Sequence, residues 1–139
     1  MSYRMLEHMT DALIEVEADN LEYAFELAAR ALIDVMIDVD KVDSKEEFHV
    51  SVEGHDLESL LYNWLEYVMI MLVSDHIALN RFRVSIINEN GYMLDAKLYG
   101  EPLDLDKHNY KVEIKGVTYH MMSIQKEGDR YRLTFLLDL

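Results

Sequence analysis

Cysteine is absent from this chain. That excludes disulfides, a thiolate nucleophile, zinc fingers and iron–sulfur clusters, and it fits a reducing compartment. Proline occurs once and glycine five times in 139 residues, too few for a long disordered linker. Basic residues are scarce as well: 13 against 27 acidic ones, a net charge of −14. Phosphate contacts depend on lysine and arginine, so direct nucleic-acid binding is not expected, and an anionic membrane surface should repel the chain. No apolar run approaches the roughly 20 residues needed to cross a bilayer. The notable one, Tyr67 to Val73, is far shorter. The first residues, Met1 to Glu7, lack an apolar signal core, so the expected location is cytoplasmic. Two chemical signatures are missing too. There is no glycine-rich phosphate loop and no Gly-x-Ser-x-Gly nucleophile elbow.

What is present suits one domain spanning residues 1–139. Half of the residues are hydrophobic, and a chain of this length buries roughly two thirds of its unfolded surface. Leu13 to Glu17 reads as a short strand. Asp19 is then expected to open a helix with Glu22 as its capping-box partner. Leu21, Ala24, Phe25, Ala28, Leu32, Val35 and Met36 recur at helical spacing behind it. Phe48, Val50 and Val52 alternate as in a half-buried strand. Asp56 caps a second helix whose stripe includes Leu57, Leu60, Leu61, Trp64, Leu65, Val68 and Leu72. The remainder reads as sheet. Phe82, Val84 and Ile86 lead to an Asn90-Gly91 hairpin turn, and Leu94, Ala96 and Leu98 return. Gly100-Glu101-Pro102 breaks that strand. Val112 and Ile114 start another, bulged at Gly116, and Tyr119 to Ile124 continues it. Glu127-Gly128-Asp129 turns into a last strand with Tyr131, Leu133, Phe135 and Leu137 on one face. The expectation is an α+β domain, with two amphipathic helices packed on one face of a largely antiparallel or mixed sheet of six or seven strands.

Three segments carry candidate chemistry. Glu7-His8-Met9-Thr10-Asp11 precedes the first of these strands, Lys115-Gly116-Val117-Thr118-Tyr119-His120 lies late, and Asp138-Leu139 closes the apolar final run. Terminal strands are often neighbours, so Asp11 and Asp138 can converge. With a main-chain or terminal oxygen of Leu139 they would form an oxygen-rich site for a hard cation. The plain alternative is that Asp11 caps a turn and Asp138 is solvated. His8 and His120 are candidates for acid–base work or ligation, although a histidine beside an apolar segment is more often structural. Lys115 could hold an anion, or pair with Glu113 or Asp11. From the residues alone no definite reaction follows.

Those same segments, together with Gly54, Asp56, Glu58, Leu60, Leu61, Trp64 and Leu65, are similar to the archease family over nearly the whole chain. Archeases carry an acidic residue or Glu-His followed by Thr-Ala-Asp, then Lys-Ala-Val-Thr-Tyr-His, and a closing Asp with an aliphatic residue. The departures are Met9 for threonine, Thr10 for alanine and Gly116 for alanine, and none removes a carboxylate. The resemblance implies an accessory protein, not an enzyme, serving the RtcB-type RNA ligase of tRNA splicing. It implies faster guanylylation of a ligase histidine with GTP and divalent metal, multiple turnover, and broadened nucleotide use.

It also places a divalent-cation site at Asp11, Asp138 and Leu139, with His8, Lys115 and His120 as supporting residues. Calcium is the expected ion, with magnesium or manganese as alternatives. The acidic surface then suits docking on a basic, RNA-holding partner. Two other roles fit the same residues. One is a chaperone or modulator of a tRNA methyltransferase. The other is a small metal-dependent hydrolase using Asp11, Asp138 and His120.

Overall fold

A computed structural model of the chain describes residues 1–6 and 10–139. Among the described residues, seven strands and two long helices follow in order: β1 (Ser2–Leu6), β2 (Asp11–Ala18), α1 (Leu21–Met36), β3 (Glu46–Gly54), α2 (Leu57–Val73), β4 (Ile77–Asn88), β5 (Tyr92–Pro102), β6 (Gly116–Glu127) and β7 (Arg130–Asp138). A short 3-10 turn, Val39–Lys41, follows α1. The α+β class and the antiparallel pairing agree with the sequence. The strands, however, divide into two sheets, ordered β1-β2-β7-β6 and β3-β5-β4. Both helices bridge them. α1 packs on β2 and β7 of the first sheet and β4 of the second, and α2 packs on β6 and on β3, β4 and β5.

Helical spacing delivers the core. Phe25, Ala28 and Leu32 of α1 meet Leu61, Trp64, Leu65 and Val68 of α2 in one apolar cluster, all fully buried. The Trp64 indole N–H, sealed from water, donates to the Phe25 carbonyl at 3.0 Å. Its ring meets Phe82 edge-on at 6.1 Å, so the largest side chain in the core is both packed and hydrogen-bonded.

The helix starts differ from expectation at one end. Asp56 caps α2 as expected, accepting from the Ser59 amide while the Ser59 hydroxyl lies 3.2 Å from the Asp56 amide. At α1 the cap is Asn20, not Asp19, and it accepts from the Tyr23 amide at 2.8 Å. Glu22 is not a capping partner. Its carboxylate accepts from the Ile86 amide, and Glu26 accepts from the Val84 amide. Two α1 carboxylates thus satisfy the open edge of β4, where unpaired amides would otherwise invite another strand. Burial pushes the Glu26 carboxyl up from its ordinary range, against the Val84 amide that lowers it.

Two late segments also differ. Gly100 does not end β5, which runs through it to Pro102. A Cβ at Gly100 would lie 1.9 Å from the Ala78 carbonyl oxygen, so the glycine allows β4 to approach closely. Val112 and Ile114 form no strand. The main chain of this segment bonds elsewhere: the Leu103 amide to His76, the Asp38 amide to the His108 carbonyl, and the Lys111 amide to Met36. Buried Glu101 anchors the connection. It accepts from the Asp43 amide at 2.8 Å, meets Lys107 at 2.7 Å and His108 at 2.9 Å, and lies 3.3 Å from Lys45.

Candidate functional site

β2 and β7 are neighbours, and their register sets Asp11 directly opposite Asp138. The flanking bond runs from the Leu139 amide to the Thr10 carbonyl at 3.3 Å. Asp11 and Asp138 are therefore a non-hydrogen-bonded pair, the geometry in which opposing side chains stand closest. Alternation settles the face. Ala12, Ile14 and Val16 of β2 and Leu133, Phe135 and Leu137 of β7 enter the core, so the two carboxylates share the opposite face.

β6 completes the row. Gly116 lies opposite Asp138 on its other side, and the Lys115 amide donates to the Asp138 carbonyl at 2.7 Å. A Cβ at Gly116 would meet nothing within 4 Å, so an alanine would fit there equally well. The next row reads Leu13, Leu136 and Thr118. Leu13 and Leu136 are buried although they lie on the face away from the main core. The carboxylate row thus has an apolar support beneath it.

This donor set suits a hard cation. Two carboxylates offer oxygen alone, with one Asp11 oxygen shielded from solvent, and such ligands select calcium or magnesium over softer ions. Asp11, Asp138 and a Leu139 oxygen would hold the ion, with the remaining positions left to water or a partner. Among the described residues no third histidine, aspartate or glutamate joins them. Among the described residues, Asp11, Asp138 and His120 do not form a three-residue metal-holding group.

The supporting residues fall into different places. His8 lies outside the described residues, together with Glu7 and Met9. Lys115 is exposed. The expected bulge is displaced from Gly116 to residues 119–122. There the β6–β7 register jumps from Thr118 opposite Leu136 to Ser123 opposite Thr134. His120 rides on this bulge, exposed, its amide donating to the Thr118 hydroxyl at 3.0 Å. Met121 takes φ 61°, left-handed for a side chain without glycine's freedom. Tyr119 stacks on Tyr62 of α2 with ring centroids 4.3 Å apart. Sequence alone missed this stack, because its signal is a contact between distant residues.

Among the described residues, no helix is long and apolar enough to cross a membrane. Comparison with known proteins agrees with the fold and the motifs. The archease protein family matches residues 3–139. An archease of Pyrococcus abyssi is 48% identical over 124 residues, covering 88% of this chain and 87% of that protein. A solution structure from Methanobacterium thermoautotrophicum superposes with a TM-score of 0.86 at 31% identity, covering 99% of each chain. A Thermotoga maritima archease, described as a possible chaperone, shares the fold with a TM-score of 0.61 at 18% identity, over 96% of this chain and 94% of that one. The chain belongs to the archease family.

Proposed function

We propose that this protein is an activator of an RtcB-type RNA ligase in tRNA splicing. It promotes guanylylation of the ligase histidine and multiple turnover without a catalytic cycle of its own. The observation that carries this reading is the placement of Asp11 and Asp138 as facing residues on one sheet face. A divalent cation, calcium being the expected ion, would be held by Asp11, Asp138 and a Leu139 oxygen. Bound there, the ion would supply positive charge at the edge of a strongly acidic protein.

The rest of the chain supplies docking and orientation. A net charge of −14 complements a ligase surface that must hold RNA, and such complementarity raises the association rate and fixes orientation. The Lys115–Asp138 and Leu139–Thr10 main-chain bonds hold the carboxylate row in register. The description of a related archease as a possible chaperone fits a protein that acts through a partner.

The test is RNA ligation by the cognate ligase under single- and multiple-turnover conditions, with GTP and divalent metal, with and without this protein. A large gain in turnover is expected. No gain with a demonstrably active ligase would sink the reading and turn attention to a tRNA methyltransferase as the partner.

A further inference from the structure

Side chains on the exposed face of the β3-β5-β4 sheet fall into rows across the strands. His49 lies opposite Lys97, and Lys97 opposite Arg83. The next row along reads Ser51, Asp95 and Ser85. Like charges set directly opposite each other weaken a sheet, and this chain carries 27 acidic residues against 13 basic ones. Even so, Arg83 and Lys97 form no ion pair within 4 Å among the described residues, although Glu26 and Glu47 lie near enough to feel their charges, whereas Arg30, Lys107, Lys111 and Arg132 each have at least one. His49 meets Glu47 at 3.1 Å, and Asp95 accepts from the Ser51 hydroxyl.

Between the two rows runs a groove of about 660 Å³. Val50, Ala96 and Val84 lie at its base with their side chains buried in the core, so the base itself is main chain. Glu26, bonded to the Val84 amide, closes it at the β4 edge. The volume falls in the range of small-ligand sites, roughly 300–1,000 Å³.

We propose that this groove binds a sugar phosphate, with the phosphoryl group on His49, Lys97 and Arg83 and the sugar hydroxyls on Asp95, Ser51 and Ser85. Arg83 supplies a planar fork for two phosphate oxygens, and Lys97 a point charge. Asp95 is a poor neighbour for a bare inorganic anion but a good acceptor for hydroxyls. Two residues along a strand separate the rows by about 7 Å, a span suited to a pentose between its phosphate and its vicinal hydroxyls. The net charge of −14 favours a free, small ligand over a polyanion with the same chemistry. The site lies on the other sheet from Asp11 and Asp138 and is independent of the ligase reading.

The test is a titration of the isotope-labelled full chain, followed by amide NMR, with ribose 5-phosphate, inorganic phosphate and a short oligoribonucleotide as probes. Ribose 5-phosphate should produce saturable shifts centred on residues 49–51, 83–85 and 95–97. Lys97→Met and Arg83→Met should each weaken it about tenfold, with the rest of the spectrum unchanged because both side chains are exposed. Asp95→Asn should weaken ribose 5-phosphate but not inorganic phosphate. Absence of saturable shifts on this face, or unaltered affinity in the Lys97 and Arg83 variants, would overturn the site. Tighter binding of the oligoribonucleotide than of ribose 5-phosphate would overturn the free-ligand assignment.

Discussion

Asp11 and Asp138 come from strands separated by almost the whole chain, yet they face each other as a non-hydrogen-bonded pair on the outer side of one sheet. Two like charges at that spacing cost stability, about 0.2–1 kcal/mol for a cross-strand pair. An ion held between them, as proposed above, would offset that cost.

Calcium should therefore raise the melting temperature of the wild-type protein. At a concentration 100 times the Kd the gain is about 2.7 kcal/mol, or roughly 5–10 °C for a domain of this size. Asp138→Asn should melt no lower than wild type in chelator and should lose the calcium response. A calcium response that survives the substitution would place the ion elsewhere.

Trp64→Ala should cost about 3–5 kcal/mol, because the ring is fully buried and its N–H serves the Phe25 carbonyl. Trp64→Phe should still cost about 1–3 kcal/mol, for the smaller ring and the lost indole hydrogen bond. Urea unfolding measures both. An unchanged midpoint would place the side chain outside the core.

The shift of the α1 cap by one residue is directly testable. Asn20→Ala should lose about 1 kcal/mol, the usual cost of a removed cap. Asp19→Ala should lose much less. The reverse order in thermal melts would restore Asp19 as the cap.

Glu101 gives the molecule a pH signature. Burial alone would raise its carboxyl. The Lys107 ammonium, the Asp43 amide, His108 and Lys45 outweigh burial and hold it well below the ordinary carboxylate range. A folded-state value below the unfolded one stabilises the fold fully above the unfolded value, near 4.5. That contribution is lost as pH falls from there toward the folded value. Wild-type stability should thus drop from about pH 5 downward. Glu101→Ala should cost about 3 kcal/mol at neutral pH, since Lys107, Lys45, His108 and the Asp43 amide lose their common acceptor, and its acid slope should be shallower. Equal acid slopes in the two proteins would refute this role for Glu101.

Periodicity and local chemistry made most of the elements legible before any coordinates. Phe48-Val50-Val52, the Asp56 cap and the Asn90-Gly91 turn are local signals, and each stands in the structure where the pattern put it. The expectation that terminal strands lie side by side brought Asp11 and Asp138 together, and they do face each other, but on β2 and β7: an additional first strand, β1, pairs on the far side of β2 and does not touch β7. What stayed hidden depends on partners distant in sequence. Val112 and Ile114 carry a strand pattern, but they follow a connection whose Leu103, His108 and Lys111 main chain bonds to His76, Asp38 and Met36, and they join neither sheet. Glu22 has capping-box spacing, but the open edge of β4 claims its carboxylate. Gly100 looks like a breaker, and only the proximity of Ala78 reveals its purpose. The division into two sheets is of the same kind, because it depends on where both helices lodge.

The most direct measurement is the rate at which the cognate ligase histidine becomes guanylylated, with GTP and divalent metal, in the presence of wild-type protein, Asp11→Ala or Asp138→Ala. The account predicts strong stimulation by the wild type and its loss in either variant, with both variants folded. Full stimulation by a folded Asp138→Ala protein would contradict it.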